Sequence, residues 1–156
     1  MDETYIKVKG AWKYLYRAVD KEGQTIDFLL TTKRDKAAAL RFFDKAMKFS
    51  GVPEKITMDK RGANKAAMDE INGRGETPII VRQVKYFNNI VEQDHRAIKR
   101  VTKPMFNFKS FRSAKNVLAG IELMHMIRKG QFMIKDCIEL SFADQFYALT
   151  GKIRPV

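Results

Sequence analysis

The order in which β-forming and helical stretches follow one another constrains this chain more than any other feature. Residues 2–9 alternate, with Thr4, Ile6 and Val8 on one side, and 13–19 and 25–31 are rich in strand-forming residues. Lys9-Gly10-Ala11 and Asp20-Lys21-Glu22-Gly23 supply turns, so the first 31 residues predict an antiparallel meander. The period then changes. Asp35 stands as an N-cap before a helix over 36–50, with Ala39, Phe42, Phe43, Ala46 and Met47 at helical spacing and Gly51 with Pro53 as the stop. Ile56-Thr57-Met58 is a short strand ending at Asp59, followed by a helix from Gly62 to about Ile71 and a loop at 72–75. Residues 78–84 form the fifth strand. Phe87, Ile90, Val91, Ile98 and Val101 share a helix face, and further helices are expected over about 110–129 and 135–149. The sum, βββαβαβ and then helices, predicts an α/β fold: one mixed five-stranded sheet flanked by helices, with extra C-terminal helices. No repeat or linker divides the 156 residues, which read as a single domain over 1–156 with residues 131–156 as its helical extension.

Charge narrows the partners. The formal net charge is +12, and it is uneven: 16 basic against 12 acidic residues over 1–78, but 14 against 6 over 79–156. From His95 to Ile121 there is no acidic residue, while Arg96, Lys99, Arg100, Lys103, Lys109, Arg112 and Lys115 all fall there. Such a patch suits a polyanion. The single cysteine, Cys137, excludes an internal disulfide and, with His95 and His125 far from it in sequence, a structural zinc. No signal peptide or membrane-length apolar run is seen, so a cytoplasmic chain is expected, with no membrane partner and no organic cofactor site.

Three carboxylates can carry chemistry if the fold unites them: Asp2 in the first strand, Asp59 at the end of the fourth and Glu92 on the helix after the fifth. Gathered carboxylates repel one another unless cations neutralise them, and oxygen ligands select hard divalent ions. Taken singly, each also reads as an ordinary residue: a chain terminus, a turn cap, a solvated helix side chain. His95, Arg96 and Lys99, at three, four and seven residues past Glu92, return to its helix face and can follow a phosphate backbone or simply form a Glu92–Arg96 pair. Trp12, Phe42, Phe43, Phe106, Phe108 and Phe111 read as core in preference to base-stacking residues, His125 as a packed side chain and Cys137 as a small buried one.

The blocks Asp2-Glu3-Thr4-Tyr5-Ile6-Lys7-Val8, Trp12 to Asp20, Thr57-Met58-Asp59-Lys60, Asn88 to Arg96, Ile98-Lys99-Arg100 and Phe108 to Arg112 resemble, in order and approximate spacing, bacterial DDE transposases of the insertion-sequence-six family. The resemblance implies an integrase-type, ribonuclease-H-like catalytic core in which Asp2, Asp59 and Glu92 hold two Mg²⁺ or Mn²⁺ ions. It implies DNA cleavage followed by 3′-hydroxyl strand transfer, with transposon ends and target DNA as partners, within a homo-oligomeric transposition complex associated with the nucleoid. Lys99 matches a DNA-contacting position, and Lys60, Arg61, His95, Arg96, Arg100, Lys103, Lys109 and Arg112 join it as candidate DNA contacts. Two departures stand out. The family's N-terminal helix-turn-helix region is absent before Asp2, which predicts a frayed first ligand and leaves open a non-catalytic DNA-binding or regulatory fragment. Arg61 replaces the small residue expected after Asp59-Lys60. A nuclease using the same site for hydrolysis alone is the third reading.

Overall fold

The computed structural model describes residues 1–84, 89–133, 140–149 and 151. Strands β1 (Asp2–Val8), β2 (Ala11–Val19) and β3 (Thr25–Thr31) form the expected antiparallel meander. Lys9 and Gly10 both take positive φ (49° and 75°), and Val8 pairs with Ala11 across this two-residue turn. That backbone matches the twist of the strands it joins, and Gly10 adopts it without a Cβ penalty.

Helix α1 (Lys36–Ser50) starts where Asp35 Oδ1 accepts from Ala38 N at 2.8 Å and stops at Gly51, whose φ is 81°. Strand β4 (Lys55–Asp59) then leads into α2 (Gly62–Arg74), and β5 (Ile80–Val84) pairs with β4 in parallel. Residues 72–74, expected in a loop, complete α2. The reason is tertiary: the Asn72 amide accepts from Ile79 N at 2.8 Å and donates to Ile79 O at 3.0 Å, so a turn-favouring residue clamps the helix end to the entry of β5. Helix α3 (Asn89–Thr102) is followed by a 3-10 turn (Lys103–Met105), α4 (Phe111–Arg128) capped by Ser110, and α5 (Phe142–Leu149). Of the helix expected from Lys135, residues 135–139 lie outside the described residues, and α5 begins at Phe142. Leu140 and Ser141 are not helical, and Ser141 Oγ accepts from Asp144 N at 3.2 Å as a cap. Cys137 lies outside the described residues.

The single five-stranded ladder expected from sequence is replaced, among the described residues, by a three-stranded sheet and a two-stranded one. They meet where Met1 N donates to Thr57 O at 2.7 Å. This contact also corrects the expectation of a frayed start: Met1 is buried, and Asp2 is in register with Arg17 of β2.

The alternation of β2 divides the interior in two. Tyr16 packs with Phe42 and Phe43 of α1, Met58 of β4 and Met68 of α2, whereas Leu15 packs with Ile6, Val8, Leu30, Ile98 of α3 and Leu118 of α4. Helices therefore cover both faces of the meander, in three layers. The same alternation separates the acidic residues of β1. Asp2 shares the parity of Ile6 and Val8, and Glu3 extends to α2, where Asn64 Nδ2 donates to it at 3.2 Å.

Candidate active site

Asp2, Glu3 and Asp59 form an all-oxygen cluster, one carboxylate oxygen from each lying within 4.8 Å of the others. It forms where the start of β1 meets the end of β4, Met1 N donating to Thr57 O, which brings Asp2 and Asp59 together. Burial, reinforced by the charges of Glu3 and Asp59, pushes the Asp2 carboxyl up to about 6, against the pull of its hydrogen bond from Glu3 N (2.9 Å).

A cation already stands in the cluster. The Arg61 guanidinium pairs with Asp59 through Nε and with Glu3 Oε1 through Nη1 at 2.5 Å. Glu3 is almost wholly buried, and Arg34 Nε lies 3.5 Å from it on another side. The two carboxylates raise the Arg61 pKa further despite the desolvation that opposes them. Arg61, read from sequence as a DNA contact, is thus turned inward. Glu3 was missed by sequence reasoning. Its place next to Asp2 on an alternating strand was visible, but alternation sends it to the opposite face, and only the approach of α2 brings that face to Asp59.

Glu92 lies in the first turn of α3 and is exposed, outside this cluster. One turn further on, His95 Nδ1 is 4.0 Å from Asp2 Oδ2. His95 departs from the expected cationic stripe. Burial, with the charges of Arg17 and Lys99, pushes its pKa down to about 3, so the ring is neutral and faces Asp2. Its Nε2 has no hydrogen-bond partner among the described residues. The remaining candidates, Lys60, Arg96, Lys99, Arg100, Lys103, Lys109 and Arg112, are all exposed.

Behind this site lies a buried polar network that the sequence did not announce. Arg17 of β2 donates through Nε to Glu122 Oε1 at 2.6 Å and through Nη2 to Asp94 Oδ2 at 2.5 Å. His125 Nε2 and Lys129 Nζ reach Asp94 Oδ1 at 2.7 and 3.1 Å. Burial opposes ionisation of Asp94, but the hydrogen bond to His125, the Arg17 charge and the Lys129 bond together hold its carboxyl well below the usual range. The network ties β2, α3 and α4 together immediately beneath His95. His125, expected as a packed residue of an apolar helix, is a member of it.

The family model described as "DDE domain" matches residues 1–131, the span that holds the acidic cluster and α3. The chain belongs to the bacterial DDE transposases of the insertion-sequence-six family. It is 43% identical over 131 residues to the "Transposase for insertion sequence-like element IS431mec" of Staphylococcus aureus, covering 83% of this chain and 57% of that protein. The same identity and coverage hold for the "Transposase for insertion sequence element IS257 in transposon Tn4003" of the same species. The chain therefore spans a little over half the length of these relatives. Among solved structures, a chain of the "CryoEM structure of simian T-cell lymphotropic virus intasome in complex with PP2A regulatory subunit B56 gamma" superposes with a TM-score of 0.55 over 92% of this chain and 51% of its own length, at 13% identity. That likeness is one of fold. Among the described residues, no helix of this transposase-family chain is long and apolar enough to cross a membrane.

Proposed function

We propose that this chain is the catalytic core of a DNA transposase that cuts transposon ends and joins their 3′-hydroxyls to target DNA, with Asp2, Asp59 and Glu92 as the metal-holding carboxylates. The observation that carries the reading is the Asp2–Asp59 pairing at the β1–β4 junction, inside the span matched by the DDE family. The donor set fits a hard divalent cation: oxygen ligands only, close together, with the Asp2 carboxyl raised by burial and by its acidic neighbours, a repulsion that a cation would relieve. Two Mg²⁺ or Mn²⁺ ions there would supply activation of the attacking oxygen and stabilisation of the leaving one. The site and the tie between Met1 and Thr57 also support a ribonuclease-H-type arrangement of the five strands.

The chain's own residues perform the rest. Asp2 and Asp59 bind from rigid strands, and Glu92 completes the set from the first turn of α3. Neutral His95 packs beside Asp2 without competing for its charge. Arg96, Lys99, Arg100 and Lys103 continue from Glu92 along and beyond α3 as exposed cations that position phosphates, with Lys60, Lys109 and Arg112 on neighbouring surface. Glu3 is engaged by Arg61, Arg34 and Asn64, and we assign it to holding Arg61 in preference to a metal. Assembly of several copies on the DNA ends belongs to the same proposal.

The test is strand transfer. This core, extended to the length of its relatives, should join a labelled terminal-repeat end to target DNA with Mg²⁺ or Mn²⁺. Asp59→Asn and Glu92→Gln should each abolish joining while leaving DNA binding in place, and Glu3→Gln should retain joining. Product formation by the Asp59 or Glu92 variants would overturn the assignment.

A further inference from the structure

A second site lies about two turns along α3 from Glu92, at the C-terminal end of the helix. Between the β1–β2 hairpin and the chain leaving α3 is a cleft of about 600 Å³, lined among others by Tyr5, Lys7, Trp12, Lys99, Lys103 and Phe106. Two of its aromatics are wet: Trp12 is 58% exposed and Phe106 86%. Sequence placed both in the core. Isolated apolar residues on a surface are ordinary, so exposure decides nothing alone; the backbone does more. Phe106 takes φ 55° and ψ −53°, the strained centre of a γ-turn closed by Asn107 N donating to Met105 O at 2.6 Å, a conformation that a bulky side chain disfavours. The loop is braced into it on both sides. Phe106 N donates to Lys103 O at 3.2 Å and Gly10 N to Asn107 Oδ1 at 3.1 Å, while Phe108 N donates to Lys7 O at 3.0 Å and Lys9 N to Phe108 O at 2.8 Å. Strain held by surrounding hydrogen bonds, with an aromatic ring left in solvent, marks a binding position more than a packing one.

Its surroundings specify the ligand. Lys7 Nζ stands 5.6 Å from the Trp12 ring centroid, Lys99 and Lys103 lie one turn apart, and among the described residues no acidic side chain lines the cleft. Cations interleaved with exposed π-faces suit a strand whose phosphates and bases are both accessible. A paired duplex offers phosphates but keeps its base faces stacked. We propose that this cleft binds an unpaired DNA strand, stacking a base against Phe106 or Trp12 with its phosphates on Lys7, Lys99 and Lys103. The proposal rests on the DNA-processing reading. Lys99 is seven residues past Glu92, about 10 Å along the helix, so the strand would be held close to, but beyond, the reacting phosphate.

Trp12 is the chain's single tryptophan and reports on the cleft directly. The full chain is titrated at low salt with an oligothymidylate about 12 nucleotides long and, separately, with a fully paired duplex of the same length. Expected are quenching of Trp12 fluorescence by the single strand, and a roughly tenfold weaker single-strand affinity in Phe106→Ala and Phe106→Leu with duplex affinity unchanged. Lys103→Ala should reduce the log–log salt slope of single-strand binding by about 0.7. Phe106→Leu keeps apolar bulk on the loop, so an equal loss in both variants assigns the effect to the π-face. Unchanged single-strand affinity in both Phe106 variants, or an equal loss on duplex, overturns the cleft while leaving the transposase reading intact. No binding of either DNA overturns both.

Discussion

Arg61 is the side chain on which the state of the acidic cluster turns. Its guanidinium bridges Asp59 and Glu3, so a divalent ion reaching Asp59 meets a cation already there. Charge-assisted hydrogen bonds of this kind are worth about 1.5–3 kcal/mol each. Arg61→Ser should therefore raise Mn²⁺ affinity, measured by calorimetry, by about tenfold, which corresponds to roughly 1.4 kcal/mol. Equal affinity in the two proteins would show that Arg61 leaves Asp59 without cost. Lys60, its neighbour, is exposed and has no such role.

At the scale of elements, the Arg17 network decides how β2, α3 and α4 are held. Arg17 is fully buried, as is Glu122, and Asp94 is nearly so. Breaking a buried ion network by removing one partner leaves uncompensated charge and costs about 3–5 kcal/mol. Arg17→Met should lose about that much in denaturant unfolding, since Glu122 loses the guanidinium it pairs with and Asp94 keeps only His125 and Lys129. Adding Asp94→Asn and Glu122→Gln to it should recover part of the loss, since neutral amides cost less to bury. A triple variant no more stable than Arg17→Met would mean that the network stabilises through shape and not through charge. Because α3 carries both Asp94 and Glu92, the same network fixes the helix that bears the carboxylate we propose as the third metal ligand.

For the whole molecule, two buried groups set the response to acid with the same sign. His95 has a folded pKa near 3, below its ordinary value, and Asp94 is also depressed. As pH falls below about 6.5 the unfolded chain takes up a proton at His95 that the folded chain refuses, and below about 4 the same becomes true of Asp94. Both contributions are fully present at neutral pH; that of His95 is lost as pH falls from about 6.5 to 3, that of Asp94 only below about 4. Asp2 offsets His95 between pH 6 and 4: its folded pKa is raised to about 6, so its own penalty disappears over that range. The metal-free protein should change Tm little between pH 6 and 4 and lose stability below pH 4, where His95 and Asp94 act together without Asp2, and His95→Gln should give a Tm that rises as pH falls from 6 to 4. A His95 variant with an unchanged Tm profile would place that acid sensitivity elsewhere.

Much of this is legible in the residues themselves. Local chemistry alone specified the Asp35 cap, the Lys9-Gly10 turn, the period change at residue 36 and the order of strands and helices, because each depends on neighbours within a few residues. The motif blocks around Asp2, Asp59 and the Glu92 helix likewise identified the family. What the sequence could not settle depends on contacts between distant segments. Asn72 turned from loop former to helix clamp only because Ile79 lies against it; His95 became a neutral companion of Asp2 only because the Arg17 network buries α3 there. Glu3 and Arg61 are 58 residues apart, yet form one ion pair. Period and charge pattern determine which residues are buried on average, and the packing of β1 against β4 and α2 decides which carboxylates meet and which cation meets them first.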